Sequence, residues 1–159
     1  MSFIPPKKNL SLHISLALLI LGFVLFSLSG YIGAYRFVFQ IASIALLTLG
    51  IQTLQRYQLS QFTYVIDDKD NGECLFTVIK TQGKKSVTVC SVNLCDCICY
   101  DKLDDYKGKP ANSYDYRQNP FSGNNFALIY RETSGDIAIR LEPDETFVSA
   151  IKSRISSKN

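Results

Sequence analysis

Two long uncharged apolar runs within the first 56 residues constrain this chain more than any other feature. Residues 10–29 read LSLHISLALLILGFVLFSLS, and residues 37–54 read FVFQIASIALLTLGIQTL. A helix needs about 20 apolar residues to cross roughly 30 Å of hydrocarbon, and both runs are close to that length. Between them lies GYIGAYR, with Gly30 and Gly33 as breakers and Tyr31 and Tyr35 as interfacial aromatics. So short a link predicts an antiparallel transmembrane hairpin. Gln40, Ser43, Thr48, Gly50 and Gln52 dilute the second run. In lipid, such residues pack against another helix, here the first span or a second copy of the chain.

Charge divides the chain at the same place. Residues 1–56 carry Lys7, Lys8, Arg36 and Arg56 and no acid, whereas all 14 acidic residues lie from Asp67 onward. The net charge of +3 therefore belongs to the flanks of the apolar runs, and the remainder is nearly neutral with mixed signs. That pattern excludes a nucleic-acid footprint. Lys7 and Lys8 before the first span and Arg56 after the second place both termini in the cytoplasm, at the inner (plasma) membrane. Ser27-Leu28-Ser29 is a small-x-small triplet, so a cleaved leader is the alternative for span one; cleavage leaves span two and the following domain where they are. His13, in the first turns of span one, has no carboxylate nearby in sequence and reads as an interfacial side chain rather than a proton relay.

From residue 57 the pattern switches to period two, with turn residues at short intervals. Strands are expected over 62–67, 73–81, 85–92, 95–102, 114–118, 124–132 and 136–142. Asn71-Gly72, Gln82-Gly83-Lys84 and Thr133-Ser134-Gly135 supply turns, and Asn119-Pro120 ends the short fifth strand. The period then becomes helical. Pro143 and Asp144 open a helix over 144–157 with Phe147, Val148, Ile151 and Ile155 on one face, and Lys152, Arg154 and Lys158 suit its C-terminal half. The expected organisation is a tail over 1–9, spans over 10–29 and 37–54, and a β domain over 57–159.

Seven antiparallel strands followed by one amphipathic helix is a short menu of folds. The segments FTYVIDDKDNGECLFTVIKTQGKKSVTVCSVNLCDCICYDK and FALIYRETSGDIAIRLEPDETFVSAIKSRI resemble, in their order of elements, the pleckstrin-homology-like (PH-like) superfold. With the hairpin in front, the chain resembles bacterial membrane proteins that join two spans directly to such a domain. The resemblance implies a β-barrel or sandwich of about seven strands, its two sheets near-orthogonal, capped by the C-terminal helix. It brings no catalytic residue. It does bring an expectation of headgroup binding by a basic first loop, but the matching turn here is the acidic DDKDNGE.

Four of the five cysteines cluster in CSVNLCDCICY, at Cys90, Cys95, Cys97 and Cys99. As zinc ligands they lack a second knuckle and any histidine in the domain. Along a strand, i to i+4 spans about 13 Å, too far for one tetrahedral ion. A reducing cytosol disfavours structural disulfides, and Asp96 and Asp101 would raise rather than lower the thiol pKa values. The thiols therefore read as small apolar side chains, with Ile98 and Tyr100 facing the core and Cys97 and Cys99 the other side. The acidic DDKDNGE turn, with Asp68, Asp70 and Gly72, lacks the spacing of a calcium loop. Lys84, Lys85, Lys102, Lys107 and Lys109 form the basic group available to anionic lipid or a partner.

No nucleophile–base pair, phosphate loop or paired ligand motif is present. The expectation is a non-enzymatic, cofactor-free, membrane-anchored module that offers a surface to a protein partner or to its own copies. A cysteine-based redox or metal sensor and an anionic-lipid module are the alternatives.

Overall fold

In the computed structural model of the protein, the described residues are 1–31, 33, 35–69, 73–119, 125–132 and 135–156. The Asn71-Gly72 and Thr133-Ser134 turns, Asp70, Pro120, Asn124 and Lys158 lie outside them. The chain divides into two compact units: Lys7–Ser60, and Met1–Pro6 together with Gln61–Asn159.

The first unit is a helical hairpin of α1 (Asn9–Leu28) and α2 (Arg36–Leu54), followed by a π-helical turn, Gln55–Leu59. Both helices are long and apolar enough to cross a membrane. Its residues are distributed opposite to those of a water-soluble pair. Ser11, Ser15, Gly22, Ser43 and Gly50 are buried, while Leu16, Ile20, Phe23, Phe26, Phe37 and Ile44 are exposed. Ser11, Ser15, Gly22 and Ser29 recur at intervals of 4, 7 and 7, and Ser43 and Gly50 at 7, the repeat of a left-handed seam. Each glycine seats a leucine of the other helix. A Cβ on Gly22 would come within 2.8 Å of the Leu47 side chain, and one on Gly50 within 3.0 Å of Leu19. Ser43 Oγ donates to the Gly22 carbonyl at 2.8 Å. Gln52 and Thr48 instead lie on the exposed side, where Thr48 satisfies its hydroxyl on the Ile44 carbonyl. His13 is exposed.

The second unit contains, among the described residues, two four-stranded sheets and one helix, and the sheets do not close into a barrel. The first sheet has the order β1 (Ser2–Phe3), β2 (Ser60–Asp68), β3 (Cys74–Gln82), β4 (Lys85–Asn93). The second has the order β5 (Cys97–Tyr100), β7 (Phe126–Glu132), β8 (Gly135–Leu141), β6 (Asn112–Asp115). Helix α3 covers Glu145–Ser156.

Alternation builds the core directly. Phe62, Tyr64 and Ile66 from β2, and Cys74, Phe76 and Val78 from β3, point inward, with Thr63, Val65, Leu75 and Thr77 less buried between them. Leu128, Ile139 and Leu141 complete the layer from the second sheet. Asp144 caps α3, accepting from the Phe147 amide at 2.8 Å, and Phe147 and Ile151 enter the core fully buried. Val148 and Ile155 pack against its margin. Two ion pairs fix the helix on its polar side: Arg154 with Asp68, and Lys152 with Asp101.

Four expectations change. Residues 1–9 are not simply a tail, because Ser2 and Phe3 pair antiparallel with Val65 and Tyr64. The Phe3 ring lies 6.1 Å from Tyr64 and 5.7 Å from Phe147, and Asn119 donates to the Pro6 carbonyl at 2.8 Å. The strand expected at 95–102 is shorter, because Leu94–Asp96 form a 3-10 turn in which the Asn93 side chain accepts from the Cys95 amide. The strand expected at 114–118 lies at 112–115 and runs parallel to β8, so the sheets are not wholly antiparallel. Gln82 pairs with Lys85, which narrows the expected turn to Gly83-Lys84, with Gly83 at a φ of 59°.

Phe147→Ala empties the position where helix and both sheets converge. It should lower the stability of the β domain by about 3–5 kcal/mol, read by urea titration of the full chain in detergent against the tyrosine near-ultraviolet signal.

Candidate functional site

The cysteine stretch lies at the corner where the first sheet passes into the second. Cys90 sits near the end of β4, Cys95 in the 3-10 turn, and Cys97 and Cys99 on β5. The expected facing is reversed. Cys97 is 3% exposed and Cys99 packs against the core, whereas Ile98 and Tyr100 belong to the opposite, half-buried face. The cause is register: β5 starts only at Cys97, and its pairing with Tyr130 of β7 fixes which alternate set points inward.

All five cysteines are free thiols. Burial, reinforced by the Asp96 charge, pushes Cys97 up to about 12. Burial and a hydrogen bond to Asp68 push Cys74 up to about 12 as well. Burial also raises Cys90 and Cys99. These four are neutral thiols at physiological pH, and Cys97 donates weakly to the Asn93 carbonyl at 3.4 Å. Among the described residues, no three His, Cys, Asp or Glu side chains converge as a metal site. The acidic turn is engaged differently: Arg154 hydrogen bonds hold the Asp68 carboxyl well below its usual range.

The five lysines separate into two groups. Lys84 and Lys85 are exposed at the β3–β4 tip of the first sheet. Lys102, Lys107 and Lys109 belong to the exposed connection between β5 and β6 in the second. Tyr106 and Pro110 of that connection are half-buried, and Tyr106 donates its hydroxyl to Asp136.

Open hollows flank β5 and α3. One of about 760 Å³ is lined by Cys95, Asp96, Cys97, Ile98, Tyr130, Arg131 and Ile155. A second of about 430 Å³ is lined by Asp101, Lys102, Phe126, Pro143, Glu145, Val148, Ser149 and Lys152. Neither contains a buried nucleophile–base pair, and both suit contact with a surface better than enclosure of a small substrate.

Sequence reading missed a buried polar group beside β2 and the end of β8. Glu142, 7% exposed, accepts from the Asn119 amide at 2.8 Å and from its side chain at 3.0 Å. Gln118, fully buried, accepts from the Phe62 amide at 3.2 Å, and Tyr64 donates to the Tyr116 carbonyl at 2.8 Å. Arg117 forks onto Asp115 and also donates to Asn125. These contacts satisfy the backbone of a non-strand segment in the interior, a structural role with no periodic signature in sequence.

Two sheets that do not close and a C-terminal helix plugging their core define a PH-like domain. The chain belongs to the family described as Bacterial PH-like domain (DUF6106), whose model matches residues 3–159. That match starts at Phe3 and takes in the hairpin as well as the β domain. A search of curated proteins returned no match.

In the unfolded chain a thiol ionises near pH 8.5. The stability drawn from neutral Cys97 is therefore complete below about pH 8.5 and lost as pH rises toward 12. Cys97→Ala should flatten that alkaline loss in denaturation curves taken from pH 7 to 11. In the native protein at pH 7.5, Cys74 and Cys97 should alkylate at least about tenfold more slowly than in urea, by mass-spectrometric peptide counting.

Proposed function

We propose that this PH-like protein is a non-enzymatic, membrane-anchored module. The hairpin crosses the inner membrane twice and leaves both termini in the cytoplasm, and the β domain offers a surface to a protein partner or to further copies. The observation that carries the reading is the position of the hairpin in the chain. It is inserted between two neighbouring strands of one sheet, with β1 ending at Phe3 before α1 and β2 starting at Ser60 after α2. Strands that pair must share a compartment, so the intervening segment has to cross a bilayer an even number of times. The outward Leu, Ile and Phe side chains and the inward serines and glycines of the hairpin support lipid as its solvent. Lys7, Lys8 and Arg56 favour the cytoplasmic side for the ends.

The same connectivity argues against a cleaved leader, since cutting after Ser29 would separate β1 and Phe3 from the core. Neutral, buried thiols argue against a redox switch at the cysteine stretch. For a partner, the hollows beside β5 and α3 and the open sheet edges are the available surfaces.

Compartment-specific reporters fused to either terminus test the reading. Both fusions should report the cytoplasm, and the protein should stay in the membrane after alkaline carbonate washing. Deleting residues 1–6 should leave insertion intact while making the β domain protease-sensitive. Termini on opposite sides, or release by carbonate, would overturn it.

A further inference from the structure

The four sheet edges among the described strands are unequal. β1 has two residues, and β5 and β6 have four each, whereas β4 runs for nine, Lys85–Asn93. Proteins ordinarily guard a long edge with charges or proline, because its free N–H and C=O groups will accept another strand. Here Ser86–Asn93 contains neither. Lys85, Ser86, Val87 and Thr88 are all exposed, and Val87 keeps 61% of its surface.

Beyond Thr88 the edge changes character. Val89 is the extra residue of a bulge, since Val78 pairs with Cys90 and Ile79 with Thr88. Its carbonyl accepts from the Tyr116 hydroxyl at 3.1 Å. From there the edge opens onto a hollow of about 360 Å³ whose lining includes Cys90, Val92, Tyr114, Tyr116 and Ile137. Tyr114 is 48% exposed, and its ring is parallel to that of Tyr116. A strand laid along Lys85–Thr88 would gain main-chain hydrogen bonds there and an apolar seat at its far end.

Charge selects the occupant. Residues 74–95 contain Lys80, Lys84 and Lys85 and no acid, and none of the three lysines forms an ion pair among the described residues. Two copies pairing antiparallel along Lys85–Thr88 would bring their Lys85 residues to about 10 Å of each other, with the Lys84 pair farther apart and no acid between them. A strand with acidic flanks meets attraction instead. The geometry points to β4 as the docking edge for an extended segment of another protein, in which apolar and β-branched residues alternate and acidic residues face Lys84 and Lys85. This rests on the reading of the chain as a protein-interaction module and names its surface and partner class.

The test uses the full chain in nanodiscs of uncharged phosphatidylcholine. The probe is a ten-residue peptide of alternating Val and Thr with a Glu pair at each end, compared with the same peptide carrying Lys pairs and with one carrying a central proline. The Glu-flanked peptide should slow amide exchange over Lys85–Thr88 and bind at least about tenfold more tightly than either control. The K84E/K85E variant, altered at the exposed turn residue Lys84 and at the exposed first residue of β4, should prefer the Lys-flanked peptide. Equal binding of the two charged peptides, or protection elsewhere, would overturn the proposal. So would protection that rises with protein concentration alone, indicating a second copy, or that follows addition of anionic lipid, indicating a headgroup site. A partner captured by proximity labelling that K84E/K85E and Val87→Pro retain would overturn this surface while leaving the module reading intact.

Discussion

Phe3 resting against Tyr64 and Phe147 is the contact on which the rest of the β domain depends. It joins three parts of the chain that lie far apart in sequence: the segment before the hairpin, the first strand after it, and the terminal helix. Tyr64 adds a polar function at the same point. Its hydroxyl donates to the Tyr116 carbonyl and accepts from the Glu142 amide, and its burial raises its own pKa. Aromatic surface and hydrogen bonding are thus concentrated in one residue, an economical way to hold a small core whose sheets do not close.

The two units distribute their side chains in opposite ways. In the β domain, large apolar side chains are buried and the exposed faces are polar. In the hairpin, leucine and phenylalanine face outward, and close approach is obtained by removing side-chain volume at Gly22 and Gly50. Removing volume there gains dispersion contact between the two helices.

The cysteines illustrate how concentrated chemistry in sequence can disperse in three dimensions. Cys90, Cys95 and the Cys97–Cys99 pair fall on three consecutive elements around one corner, and four of the five thiols of the chain are raised in pKa by burial. A thiol in such a place serves as a small core side chain. The less conspicuous β4, with no motif at all, has the longest exposed edge among the described strands.

The sequence by itself determined the apolar hairpin, the strand positions to within a few residues, the amphipathic face of α3 and the PH-like order of elements. Each is a local signal: an uninterrupted apolar run, a period of two or a period of 3.6. Only the tertiary structure decided that residues 2–3 are a strand, because two residues carry no periodicity and their partner lies some sixty positions away. It also decided the inward set of β5, since a 3-10 turn at Leu94–Asp96 delays the strand and a one-residue shift exchanges its faces. The parallel pairing of β6 and the burial of Gln118, Asn119 and Glu142 were decided there too. They depend on which groups the fold leaves facing one another, which no window of neighbouring residues contains.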